Sequence, residues 1–373
     1  MLSVNIHFFL LFLAFGFAES FGPVYFYKMG LDVSDIATYW ALFFVIRILI
    51  RPVIIHLCHK FDLKSVFCTS IVLFSGRYVF YSLVKEPGSL MAGLLLYESI
   101  TSTLYWVIYH SYFAALASSE KAGVQVATRD MMLLLARLIS PFLMSLCLDE
   151  FGFGSTFLVA GLISITSVLP LIIKPMREIH IKDFSWKRAR VVDKSGALLY
   201  GVTGVHEYSH LFLWRIALYL QVGSYVGFGA LLSLAILFQI IGNFLVGKHF
   251  DRSMSTKLPT IGLIITAFAL IGRATISSSI PIILALDILS VLGGVLYGPY
   301  VSAINYQRSK SSGSTLMFQF WSETGWDIGC IVTLSIGAAC LSLGVPIKMV
   351  MLLGLLGLLG MQLVIKRYRN YAM

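Results

Sequence analysis

The chain has 373 residues, 58% of them apolar and 12% charged, with a mean hydropathy of +0.86. Soluble domains run near 45–50% apolar and about 25% charged, so a water-soluble globular protein is excluded and the lipid bilayer is the expected solvent. The net charge of +10 could suit nucleic acid, but the basic residues collect at one set of span ends, a membrane pattern and not a binding patch.

A helix crosses a bilayer in roughly 20 mostly apolar residues. Stretches of that kind run from Val4 to Tyr27, Ile36 to His56, Ser65 to Leu83, Ser89 to Leu116, Arg129 to Leu148 and Ser155 to Ile173. After a polar break come Ala197 to Val222, Tyr225 to Val246, Leu258 to Ser277, Ile280 to Ala303, Leu316 to Leu341 and Val345 to Ile365. The expected fold is therefore an all-α membrane protein of twelve transmembrane helices. Six lie in residues 1–173 and six in 197–373, joined by a loop at 174–196 that holds Pro175, Trp186 and the run Lys187-Arg188-Ala189-Arg190. Gly16-Phe17-Ala18 ends an apolar run that has no preceding positive charge and is followed directly by Glu19, so the first stretch reads as a retained span and not a cleaved signal. With the N-terminus inside, Lys60, Lys64, Lys121, the basic loop, Lys248, Arg252, Lys257, Arg308, Lys310, Lys366, Arg367 and Arg369 all face inward. Lys28, Lys85 and Lys348 face outward. Both termini are then cytoplasmic, in a membrane of the bacterial cytoplasmic type.

The chain looks duplicated. Arg47 and Arg51 sit one helical turn apart in the second span, as Gln239 and Asn243 do in the eighth, and a short basic connection follows each pair. Gly16-Phe17-Ala18-Glu19 in span one matches Gly204-Val205-His206-Glu207 in span seven. Glu98 precedes Tyr109 and Tyr112 in span four, as Asp287 precedes Tyr297 and Tyr300 in span ten. Internal repeats of this kind belong to transporter architectures.

A charge at mid-span costs roughly 2.5–3.5 kcal/mol on insertion scales, so each marks a site facing protein or water. Glu19, Glu98, Glu207 and Asp287 stand at roughly matched depth in spans one, four, seven and ten. A partly desolvated carboxylate holds a proton more readily, which suits coupling; the alternative is a fixed ion pair with Arg47, Arg77, Arg137, Arg215 or Arg273. Span eleven adds Glu323 and Asp327, spaced to share one helix face and a proton, with Trp321 and Trp326 flanking them. Arg77 and Arg273, each after a glycine, read as structural. Arg137 is the expected contact for an anionic solute group.

His206-Glu207-Tyr208-Ser209-His210 is a literal H-E-x-x-H, the spacing that holds zinc with the glutamate as general base. A catalytic zinc also needs a third protein ligand and an open position, and no motif supplies that ligand. Proton relay or hydrogen bonding is the reading preferred for the histidines. A divalent-metal transporter and an intramembrane zinc metalloprotease stand as alternatives. The cysteines Cys58, Cys68, Cys147, Cys330 and Cys340 lack C-x-x-C spacing and read as packing residues.

Gly247-Lys248-His249-Phe250-Asp251-Arg252, after span eight, resembles the G-x-x-x-D-R signature of the major facilitator superfamily of secondary transporters. In the first copy only Lys60 and Lys64 keep the basic positions, while Ile55, His59 and Asp62 replace the expected Gly, Asp and Gly. The resemblance covers nearly the whole chain. It implies spans one, four, seven and ten around a central cavity, alternating access, and an inner-side latch at Lys60, Lys64, Gly247, Asp251 and Arg252. The exporter run expected in span five is reduced to Pro141 within Ala136–Phe142. The expected function is secondary transport of a small solute by a monomer, driven by protons, with no cofactor, resident metal or enzymatic activity. A transporter-like sensor or accessory membrane protein is the further alternative.

Overall fold

The computed structural model describes residues 2–116, 122–173, 192–250 and 257–368, and among these it contains helices and turns and no strand. Ten helices among the described residues are long and apolar enough to cross a membrane. In chain order they begin with α1 (Leu2–Lys28), α2 (Val33–Lys60), α3 (Leu63–Leu83), α4 (Ser89–Leu116) and α5 (Ala122–Thr166), which leads into the short α6 (Leu169–Ile173). The apolar run from Ala127 to Ile173 spans 47 residues. At 1.5 Å per residue that is roughly 70 Å of helix, twice the hydrocarbon thickness, and it does not run straight. Gly152, with φ 72° and ψ 176°, breaks it in a conformation that is essentially glycine-only. Phe153 then packs on Tyr25, Phe157 on Phe17, and the Ser167 carbonyl on His7, so the second arm returns antiparallel along α1. The sequence reading of two spans in this stretch anticipates that reversal.

The span read from Ala197 to Val222 is not a plain α-helix: the observed segment runs over 195–222. It comprises α7 (Ser195–Tyr208), a π-helical turn (Ser209–Trp214) and α8 (Arg215–Val222), which ends at Gly223 with φ 67° and its N–H on the Tyr219 carbonyl. No proline or glycine lies inside the turn. Then follow α9 (Tyr225–Phe250), α10 (Lys257–Thr275), α11 (Ile280–Ser311), α12 (Thr315–Ser342), the short α13 (Ile347–Val350) and α14 (Gly354–Tyr368).

Aromatic side chains fill the interior on the α1–α5 side, with Phe17, Phe21, Phe26, Tyr81 and Phe157 all fully buried. The α7–α12 crossing is packed by backbone instead. A Cβ on Gly325 would lie 2.0 Å from the Ala197 carbonyl oxygen, and one on Gly329 would lie 2.1 Å from that of Gly201. Lipid supplies no hydrophobic drive between helices, so such close van der Waals approach is what holds them together. Gly329→Ala is therefore expected to lower the melting temperature of the purified protein sharply, since the clash is with backbone and overpacking costs about 1–3 kcal/mol or more. Gly298→Ala, which meets nothing within 4 Å, should leave it within a degree or two.

Candidate functional site

A cavity of about 160 Å³ lies among α1, α5, α7, α8, α9, α10 and α11. Glu19 from α1, Arg137 from α5, Glu207 from α7 and Arg215 from α8 line it, with Arg273 of α10 and Asp287 of α11, while Leu232, Ile236 and Val291 add apolar wall. Local sequence explains how Arg137 reaches Glu19. Gly16 lets α5 press on α1, where a Cβ would sit 3.0 Å from Ser140 Oγ, and Ser140 Oγ donates to the Leu13 carbonyl at 2.6 Å. Pro141 lacks an N–H for the carbonyl four residues back, that of Arg137 itself, which loosens the helix at this point.

Glu19 is shared by two guanidinium groups. Arg137 Nη2 lies 3.3 Å from Oε1 and 3.4 Å from Oε2, and Arg215 Nη1 lies 3.7 Å from Oε2. Arg215 Nη1 is buried and makes no hydrogen bond. Glu207 differs from every other acid singled out above: it has no hydrogen bond and no ion pair within 4.0 Å among the described residues, although Arg137 and Arg215 act on it electrostatically.

The H-E-x-x-H histidines also line the cavity, with rings nearly parallel at 3° and centroids 6.5 Å apart. Arg273 Nη1 lies 2.8 Å from His210 Nδ1, so that nitrogen accepts, the neutral ring carries its proton on Nε2, and neither nitrogen offers a free lone pair to a metal ion. No group of three or more His, Cys, Asp or Glu residues fit to hold a metal occurs among the described residues. The donor set does not favour zinc.

The repeat-matched acids Glu98 and Asp287 are each held by an arginine from the preceding helix. Arg77 Nη1 is 3.6 Å from Glu98, which also accepts from the Tyr81 hydroxyl at 3.0 Å. Arg273 Nη2 is 2.7 Å from Asp287, which accepts from Trp214 Nε1 at 2.9 Å. The arginines read as structural thus hold two of the candidate coupling acids in fixed pairs. Glu98 lines a second cavity of about 80 Å³ that shares Glu19 and Leu211 with the first.

Glu323 and Asp327 do not stand together as an acid pair free to share a proton. They meet α2: Arg47 Nη2 is 3.4 Å from Glu323 and 3.3 Å from Asp327, Arg51 bonds Asp327 and donates to Thr324 Oγ1 at 2.9 Å, and His110 Nε2 is 3.4 Å from Glu323. Opposite charges spaced four apart on facing helices interlock, and both oppose water loss by pairing. Trp326 packs its ring on Tyr200, 6.2 Å between centroids, and does not line the cavity. Of the expected latch, Lys60 is exposed and Lys64 half-buried, Gly247 lies in α9, and Asp251 and Arg252 fall outside the described residues.

Sequence reading named Arg47 and Arg215 only as alternative ion-pair partners of the acids, and did not assign Arg51, His110 or Trp214 to the site. A signal for Arg47 and Arg51 was present, since Arg47/Arg51 and Glu323/Asp327 are complementary pairs of equal spacing. Nothing local marks Arg215, whose placement depends on the π-turn.

A family model described as Major Facilitator Superfamily matches residues 4–333. No curated protein sequence matches the chain. Among solved structures, the fold is similar to the POT family transporter PepTSo, with TM-score 0.77 and 10% identity over 99% of this chain and 97% of that one. It is also similar to a POT family transporter in complex with 5-aminolevulinic acid, with TM-score 0.72 and 12% identity over 100% and 96%. The nucleoside transporter NupG gives 0.68 and 13% over 100% and 98%. At such identities the likeness is one of fold.

Removing Arg51 leaves the fully buried Asp327 short of a partner. Breaking a buried pair from one side costs about 3–5 kcal/mol, whereas replacing both partners by apolar groups is often neutral. Arg51→Ala is expected to lower the melting temperature strongly, and Arg51→Met with Asp327→Leu to recover most of the loss.

Proposed function

The chain belongs to the major facilitator superfamily, and from that premise we propose that it moves a small organic anion together with a proton through the cavity between α1, α5, α7, α8 and α11. It is an integral, multi-pass membrane protein with the fold of secondary transporters. The helix reversal at Gly152 and the helical segment 195–222 support a reading of twelve spans in two halves, 1–173 and 197–373, joined at 174–196 with both termini inside. The chain acts by alternating access as a monomer, without cofactor.

The observation that carries the substrate class is the charge arrangement at Glu19. Two arginines share one carboxylate, leaving a surplus positive charge for an anionic group, and the apolar wall accepts the rest of a small molecule. Pockets for drug-sized ligands run about 300–1,000 Å³, so a cavity of about 160 Å³ suits a metabolite. The POT family structure that holds 5-aminolevulinic acid offers a carboxylate of suitable size as a first probe.

The coupling follows from Glu207. Ionised, it draws on Arg137 and Arg215, the same positive charge that the solute anion needs. Protonated, it releases that charge. Solute and Glu207 charge therefore compete, and proton binding precedes anion binding. Opening of the cavity to water on the other side lets the acid discharge its proton. His206 and His210 stand beside Glu207 as a route for that proton.

Proteoliposomes with an imposed inward proton gradient test this reading. Radiolabelled 5-aminolevulinic acid and a panel of small monocarboxylates should accumulate, with uptake rising as the outer pH falls. Glu207→Gln should abolish the response to the gradient while retaining exchange of labelled for unlabelled solute. Arg137→Ala and Arg215→Ala should each reduce uptake at least tenfold. Gradient-driven uptake that survives Glu207→Gln would falsify the coupling role.

A further inference from the structure

Glu207 and Arg215 bracket the π-turn at Ser209–Trp214. An α-helix advances about 100° per residue, so two residues eight apart point roughly 80° away from each other. A π-turn takes up about one extra residue, which gives Arg215 the angular place of an i+7 residue, within roughly 20° of Glu207. Both side chains accordingly line one cavity. A plain helix through 195–222, held at Glu207, would turn Arg215 away from Glu19.

A π-turn is intrinsically poorer than α-helix, and here a single ion pair holds it near both ends. Asp287 accepts from Trp214 Nε1, the last residue of the turn, at 2.9 Å, and from Arg273 Nε at 2.9 Å. The same Arg273 donates to His210 Nδ1, near the start of the turn, at 2.8 Å, while its guanidinium lies 4.8 Å from the Trp214 ring centroid. Ser209 Oγ donates to the His206 carbonyl at 2.8 Å, satisfying backbone at the junction with α7. The Trp214 contacts, at the far end of the turn from Glu207, would be lost if the turn rewound.

We propose that Trp214, Asp287, Arg273 and His210 are positioning residues for the transport site: they pin the π-turn, and the pinned turn sets Arg215 against Glu19. This rests on the reading of the Arg137–Glu19–Arg215 cluster as the solute's anion contact and assigns to α10 and α11 the task of assembling it. Asp287 then serves transport without touching the solute, through the helix that carries Arg215.

The test is a double-mutant cycle read by melting temperature in detergent without solute, so its outcome is independent of whether the substrate has been identified correctly. Glu19→Gln strands two arginines and should lower the melting temperature of the otherwise unchanged chain. In a Trp214→Phe background, which removes the N–H and keeps a ring, the turn is no longer pinned and that fall should shrink by at least half. Deleting Leu211 from the turn leaves a plain α-helix in which Arg215 reaches the same face as an i+7 residue. Adding this deletion to Trp214→Phe should restore the full fall on Glu19→Gln. An undiminished fall in Trp214→Phe alone, or no restoration by the deletion, overturns the proposal. If Trp214→Phe does not fold, the deletion by itself decides: the fall should equal that of the parent, and its loss overturns the geometry.

Discussion

An unpartnered charge in the hydrocarbon core is costly, and the interior of this protein is arranged around that constraint. Arg77 holds Glu98, Arg273 holds Asp287, Arg47 and Arg51 hold Glu323 and Asp327, and Arg137 with Arg215 holds Glu19. Each pair joins different helices, so charge balance and helix packing are one problem. The pairs set which helices can be neighbours as firmly as the glycine contacts between α7 and α12 do. Glu207 is the departure from the rule, and it becomes informative because the others are satisfied.

The pairs differ in what they can do. Arg51 and Asp327 are almost fully buried, with side-chain exposures of 1% and 0%, and a contact that tight ties α2 to α12. Around Glu19 the exposures are higher, 17% for the acid and 27% for Arg137, as the proposed exchange of partners with a solute requires. A strong, dry pair suits closure of the bundle in this conformation; a loose, wet one suits binding. The two matched arginine–carboxylate pairs on α3–α4 and α10–α11 are similar in design, yet one borders the small second cavity while the other reaches across to the π-turn.

Much of the arrangement could be read from the residues. The apolar runs placed the helices, including both arms of the stretch broken at Gly152. The intramembrane acids and Arg137 were legible as exceptional because a charge in an apolar run is costly. The residues named the arginines but left open which acid each one meets. Glu323 and Asp327 look like a proton-sharing pair when span eleven is read alone, since their arginines lie 276 residues away in sequence. The H-E-x-x-H segment looks like a metal site until Arg273 is seen on His210.

The sequence by itself determined the solvent, the helices and the inventory of charges, because hydropathy and span length are local properties that each segment carries whatever its neighbours. It also determined the family, through a short motif and the order of the spans. The tertiary structure alone decided which charge meets which, that Glu207 has no ion pair among the described residues, and that the helix 195–222 is wound as a π-turn at its centre. Those outcomes depend on contacts between helices far apart in the chain, where a guanidinium on one helix can alter the winding of another. No window of adjacent residues holds that information.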